Sequence, residues 1–346
     1  MPQTLAPAPA EAPARAPGSD FAPLSRQVRD SGLLDRRRGY YSAIIALNLL
    51  ATAGIWVGVA LADGAWWAVA LALPAAMISA RTGFLGHDAG HRQIARSARA
   101  NRWLGLLFGN VISGMSSAWW TDKHNRHHAN PNHVDKDPDV ASGVLVWTAE
   151  QAADRRRLAA WMTRHQAGLF FPLLTLEGWW LKVAGLLDLR SRSWRERLLE
   201  GGLMAVHLVG YFALAFTLMP TAQAITFVLV HQALFGLHLG SVFAPNHKGM
   251  AMPGPDERWD HLRRQVLTSR NIRRGVVTDW MMGGLNYQIE HHLFPSIPRC
   301  NLSRLQPLVR EHCAKVGLPY AETSALESYA QALGHMHEVG ESLRAA

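Results

Sequence analysis

Cysteine is nearly absent: the 346-residue chain has two, Cys300 and Cys313, which form neither a CxxC pair nor a disulfide framework. That excludes a thiolate metal site of the zinc-finger kind and a fold stapled by disulfides. An apolar leader segment is also missing. The stretch PQTLAPAPAEAPARAP near the start has no hydrophobic run, so residues 1–35 are expected to form a disordered arm rather than a signal peptide. No internal repeat is visible. Mean hydropathy is an unremarkable −0.02, but the average conceals strong segregation of apolar and charged residues.

What is present is a set of long apolar runs. Tyr40–Ala62 reaches roughly 34 Å as a helix, enough for a hydrocarbon core of about 30 Å. Ala65–Gly86 follows after Asp63-Gly64, a connection too short for anything but a tight turn. Gly201–Met219 and Thr221–Phe243 repeat the arrangement around Pro220. Four transmembrane helices in two hairpins are therefore expected, spanning about 40–62, 65–86, 201–219 and 221–243. Two further runs are ambiguous. Trp103–Trp120 is broken by Gly105, Gly109, Asn110 and Gly114, and Gly168–Leu187 contains Glu177 and Lys182. Both are read as interfacial or re-entrant, because a single extra crossing would put the histidine motifs on opposite sides of the bilayer.

Charge placement sets the orientation. Lys and Arg outnumber Asp and Glu by 35 to 26, giving a net charge of +9. The excess flanks the hairpins at Arg36-Arg37-Arg38, at Arg92, Arg96, Arg99 and Arg102, at Arg190, Arg192, Arg195 and Arg197, and at Lys248, Arg263 and Arg264. Neither hairpin turn carries a positive charge. By the positive-inside rule, both termini and every long connection are expected to be cytoplasmic, in a multi-pass protein of the cytoplasmic (inner) membrane. Basic residues beside apolar runs favour a bilayer over nucleic acid as the partner.

Histidine is unusually common, at 17 residues. His87-Asp-Ala-Gly-His91 places two imidazoles on one helical face, and His124-Asn-Arg-His127-His128 places three. Gln288-Ile-Glu-His291-His292 repeats the second spacing with glutamine first. Seven imidazoles exceed the needs of one ion, since a catalytic zinc typically takes three protein ligands. Two metals with about four ligands each fit better, and His247, where the fourth span emerges, is read as the eighth. Imidazole suits iron, copper, zinc and nickel alike, so spacing alone does not choose the metal. The Glu-x-x-His pattern of soluble di-iron bundles is missing. Gln288 and Asn246 are candidates for direct or water-mediated ligation, or for orienting imidazoles.

HDAGH, HNRHH and QIEHH, in this order around two apolar hairpins, resemble the three histidine boxes of the membrane fatty acid desaturase family. Asn130-Pro-Asn, Lys136-Asp-Pro-Asp139, the APNHKG segment and Phe294-Pro-Ser-Ile-Pro-Arg-Cys-Asn-Leu302 resemble its bacterial members, and the similarity runs over roughly residues 40–320. The glutamine that opens the third box is the form found in front-end acyl desaturases. The resemblance implies an all-α integral-membrane fold in which a cytoplasmic helical cap carries the di-metal site. It implies two non-haem iron ions, O2 as co-substrate, and removal of hydrogen from two neighbouring methylenes to leave a cis alkene and two waters. The acyl substrate would be attached to lipid, CoA or acyl carrier protein. A fused cytochrome b5 domain would show a His-Pro-Gly-Gly motif, which this sequence lacks. Electrons from NAD(P)H are then expected through a separate carrier, a ferredoxin or a cytochrome b5-type protein with its reductase.

Other residues compete for roles. His231 and His238, and His207 in the third span, lie at membrane depth, where ionisable groups are functional candidates by default. Neutral histidines also bond between helices. Asp88, Asp137 and Asp139 could orient ligand imidazoles, and His133 follows the second box closely. Arg263, Arg264, Arg273 and Arg274 could meet a substrate headgroup or simply anionic lipid. A desaturase domain over 36–320 and a cytoplasmic tail over 321–346 complete the expectation. The rival readings are a hydroxylase or ketolase on the same scaffold acting on an alkane, sterol or carotenoid, and, from another class, a metal transporter or haem-binding subunit.

Overall fold

In a long run of apolar side chains, backbone N–H and C=O groups can be satisfied away from water only by local helical bonding. The computed structural model describes residues 19–344 and follows that rule. In chain order the helices are α1 (Phe21–Asp30), α2 (Arg38–Leu61), α3 (Ala72–Gly90), α4 (Ala98–Gly105), α5 (Ser117–Ala129), α6 (Ala149–Ala153), α7 (Arg157–Arg164), α8 (Gln166–Leu174) and α9 (Glu177–Asp188). They continue with α10 (Trp194–Leu218), α11 (Thr221–Phe243), α12 (His261–Leu267), α13 (Val276–Met282), α14 (Gln288–Leu293), α15 (Leu302–Lys315), α16 (Ala325–Val339) and α17 (Glu341–Arg344). The one departure from an all-α fold among the described residues is a two-residue parallel pair, β1 (Asn271–Ile272) with β2 (Glu322–Thr323).

Four helices are long and apolar enough to cross a membrane: Arg38–Leu61, Trp66–Gly90, Trp194–Leu218 and Thr221–Asn246. Only 11% of the apolar window is buried in the first and third, against 44% and 50% in the second and fourth. α3 and α11 therefore form the inner pair, and α2 and α10 present Leu47, Leu50, Val206 and Val209 outward. The two short connections meet at one end of the bundle, where the Gln223 amide donates to the Gly64 carbonyl. At the opposite end α3 delivers His87 in its last turn, and His247 stands just beyond the 3-10 turn that ends α11.

The ambiguous apolar runs become broken elements. Gly168–Leu187 folds as α8 and α9, bent by 76° to one another. α9 crosses α11 closely through glycine: a Cβ on Gly178 would come within 2.6 Å of the Gln232 carbonyl oxygen. Trp103–Trp120 divides into α4, a π-helical stretch Leu106–Ser113, and the start of α5. The chain turns at Gly114 with φ of 68°, against the His207 ring.

Two sequence expectations are corrected here. Residues 1–18 lie outside the described residues, but the proposed arm does not extend to 35. Helix α1 buries Leu24 and Val28, four apart on one face, among Leu262, Ile289, Leu305 and Val309. The proposed tail from 321 is likewise part of the body. β2 pairs with β1, Ser328 donates to the Pro245 carbonyl at 2.7 Å, and Met336 is fully buried. In both cases a short apolar face beside a polar or Pro-rich stretch was enough for packing.

Candidate metal centre

Three segments far apart in sequence converge past the ends of α3 and α11. His87 and His91 come from the end of α3, His124, His127 and His128 from α5, and His291 and His292 from α14. His247 joins them from the end of α11. All eight of these histidines fall into one contiguous group of rings.

The group has two lobes. The ligand atoms of His87, His91, His124 and His291 lie within 4.8 Å of one another, as do those of His127, His247 and His292. Nε2 of His87 faces Nε2 of His291 at 3.1 Å, and Nε2 of His124 faces Nε2 of His128 at 3.0 Å. His128 bridges the lobes: its ring centroid is 4.5 Å from that of His91 and 4.1 Å from that of His292. A third grouping, His127 with Asp137 and Asp139, is better read as an imidazole with its supports, because Lys123 pairs with Asp139 and Lys248 donates to the Asp139 carbonyl at 3.0 Å.

Outer ring nitrogens are tied down in a consistent way. Nδ1 of His87 meets Asp88 at 3.2 Å, Nδ1 of His127 meets Asp137 at 2.9 Å, Nδ1 of His247 meets the Thr268 carbonyl at 2.9 Å, and Nδ1 of His292 meets Oε1 of Gln265 at 2.9 Å. Acceptors on that side fix the proton at Nδ1 and leave Nε2 as a bare lone pair facing inward, the usual arrangement around a metal. Asp88 is itself held by Tyr41 at 2.9 Å and by Arg299 at 2.6 Å.

Electrostatics agree. Burial, reinforced by neighbouring imidazoles, pushes His91, His124, His128, His291 and His292 well below the ordinary imidazole range. Burial takes His247 down to about 3. His127 is the exception. Burial lowers it, but the Asp137 and Asp139 carboxylates together outweigh that, and it ends above its ordinary value. The neutral imidazoles have lone pairs available at neutral pH. Nε2 of His91 and Nε2 of His292 are buried without any partner. Such orphaned acceptors are costly unless something occupies the space between them. An all-nitrogen, neutral donor set of this size fits two borderline transition-metal ions such as iron.

The remaining candidates separate clearly. Nε2 of Gln288 faces Nε2 of His247 at 2.9 Å, and Asn246 donates to Oε1 of Gln288 at 3.3 Å, so both abut the second lobe. His231 and His238 are not brought to it. They sit on α11 about 24 Å and about 14 Å of helix before His247. His231 bonds Tyr211 and Ser79, and His238 bonds the Met281 carbonyl. His133 lies beside Asp135 with a buried, unpartnered Nε2, and belongs to neither lobe. Arg263 is paired with Asp20 and Asp260, and Arg264 with the carbonyls of Ala129 and Trp259. Neither is free for a headgroup, whereas Arg273 and Arg274 are exposed.

Sequence reasoning missed Gln265, the Thr268 carbonyl and Asn132. Asn132, at φ 55°, donates its backbone N–H to Asp137 at 2.7 Å and its amide to the His247 carbonyl at 2.8 Å, joining the lobe to the loop after α5. The Pro/Asn turn was its only signal; Gln265 had none.

Comparison with known proteins follows the same lines. The family model described as "Fatty acid desaturase" matches residues 64–324. An acyl-lipid (9-3)-desaturase of Physcomitrium patens is 32% identical over 75% of this chain and 51% of its own length. A Delta(6)-fatty-acid desaturase of Caenorhabditis elegans is 28% identical over 94% and 76%, and a Delta(8)-fatty-acid desaturase of Euglena gracilis is 32% identical over 87% and 74%. The chain thus spans about half the length of the Physcomitrium patens protein and about three quarters of the other two.

Proposed function

Because the chain belongs to the fatty acid desaturase family, we propose that it is an O2-dependent di-iron desaturase that introduces a cis double bond into a fatty acyl chain carried on lipid or CoA. The observation that carries this reading is the pair of imidazole lobes joined through His128. His87, His91, His124 and His291 would hold one ion, and His127, His247 and His292 the other, with His128 between the two sets and Gln288 beside the thinner one. Iron bound there would supply the O2 chemistry that an unactivated methylene requires.

The chain's own residues prepare that chemistry. Asp88, Asp137, Gln265 and the Thr268 carbonyl fix tautomer and ring orientation from the outer side. Phe84, three residues before His87 on α3, packs with Met115, Leu239, Met282 and Leu285 in one apolar cluster. A dry setting strengthens polar interactions and suppresses side reactions. The four apolar helices are read as two membrane-crossing hairpins, with the histidine centre in a cap on the cytoplasmic side. Charge flanking the helices supports that orientation. Electrons are read as coming from a separate carrier protein.

Fatty acid profiling of a host that lacks the activity tests the proposal. New cis-unsaturated acyl chains on expression are expected. Hydroxylated or keto products without new double bonds would replace desaturation by the hydroxylase reading.

A further inference from the structure

Away from the histidine lobes, α2, α3, α9, α10, α11 and the π-helical stretch border a cavity of about 60 Å³, with Ser113, Lys182, His207, Tyr211, His231 and Gln232 on its wall. Space of that size holds on the order of four to six waters, or a carboxyl group with a few methylenes. Polar side chains at this depth are costly unless satisfied. His231 is satisfied: Nδ1 meets the Tyr211 hydroxyl at 2.7 Å and Nε2 meets Ser79 at 3.0 Å. Its neighbours are not.

Lys182 is 5% exposed. Its ammonium donates to the Gly178 carbonyl at a long 3.4 Å and otherwise faces the Phe235 ring at 5.1 Å. It forms no ion pair with any carboxylate among the described residues. Glu200, the buried carboxylate of α10, is occupied by Ser116, Asn110 and the Ala118 N–H. His207 directs Nδ1 at the Val111 carbonyl at 3.1 Å, so its proton sits there and Nε2 is a bare, buried acceptor. Oε1 of Gln232 and Oγ of Ser113 are also buried and unpartnered. The wall therefore offers one amine with a single long hydrogen bond and several acceptors with no donor to meet them.

We propose that this cavity binds the carboxyl group of an unesterified fatty acid in its protonated form, its carbonyl oxygen accepting from Lys182 and its O–H donating to His207 Nε2. The cavity is not fully enclosed, and Thr52 and Ile55 of the outer helix α2 are part of its wall. Phospholipid headgroups and CoA are too bulky for it. The site is thus distinct from the histidine centre and does not depend on the reaction performed there.

Equilibrium binding of tritiated dodecanoic acid to the full-length protein in nanodiscs tests this, with methyl dodecanoate as competitor. Saturable binding of about one acid per chain is expected, with the methyl ester failing to compete. Lys182→Met should weaken binding at least tenfold. His207→Phe, which removes the acceptor and leaves the amine, should weaken it about threefold or more and covers the case in which the first variant does not fold. His128→Ala should leave binding unchanged. Absence of saturable binding, equal affinity in Lys182→Met, effective competition by the ester, or loss of binding in His128→Ala would each overturn the proposal. The first outcome would leave a water-filled cavity, the second would place the acid away from Lys182, and the last would move it to the histidine centre.

Discussion

Nε2 of His87 and Nε2 of His291, 204 positions apart in the chain, point at one another across 3.1 Å, both side chains buried. Two such nitrogens face each other at that distance when they converge on a common cation or share a proton. With the outer nitrogen of His87 already committed to Asp88, convergence on a cation is the economical account.

His128 belongs to both lobes, so its removal should disturb both. His128→Ala is expected to reduce desaturation by more than about 100-fold while leaving membrane insertion intact, because ligands act on the metal and not on the spans. Product analysis with iron determination on the purified variant checks this. Wild-type turnover would remove His128 from the centre.

Asp137 accepts from both His127 and the Asn132 N–H. Asp137→Asn preserves shape but loses the charge that holds His127 in its tautomer. A loss of roughly 10–100-fold in metal affinity or activity is expected. Metal titration of the stripped protein should show the weaker binding in one of two sites.

Glu200 caps the helix that carries the second histidine motif. Its carboxylate takes the Ala118 N–H at 3.1 Å and the Asn110 amide at 3.1 Å, and it is 5% exposed. Glu200→Ala strands these donors and should destabilise the protein by about 2–3 kcal/mol, read from thermal unfolding in detergent. Glu200→Gln retains one acceptor and should lie between the two.

Acid should weaken the metal-free protein. Five box imidazoles and His247 have folded pKa values below the ordinary 6.5, so the unfolded chain binds more protons as pH falls. Stability is then unaffected well above pH 6.5 and declines as pH falls below it, with His127 and the upward-shifted carboxyls of Glu177 and Glu290 opposing the trend. Unfolding of stripped protein at pH 7.5 and 5.5 tests the sign; equal or greater stability at pH 5.5 would contradict it.

Much of this was legible in the sequence, because apolar length and histidine spacing are local signals. The four long helices were expected within a few residues of their observed limits, except that α10 begins at Trp194 rather than near 201. Its first turn contains Arg195, Glu196 and Arg197, which mask the helix from a hydropathy reading. All eight candidate histidines were named, and the fold brings them together. What sequence could not show is carried by tertiary contact. Gln265 has no motif, the Thr268 contribution is a carbonyl, and His231 looks like a ligand until Tyr211 and Ser79 are seen to occupy both of its nitrogens. Helix α1 and the segment after 320 were placed outside the domain because their apolar faces are only a few residues long.

Metal content decides the central claim most directly. Elemental analysis of the purified full-length protein, joined to Mössbauer spectroscopy after growth on 57Fe, should give about two non-haem irons per chain held by nitrogen-rich ligand sets. One ion per chain, a haem spectrum, or stoichiometric zinc in an active preparation would contradict it.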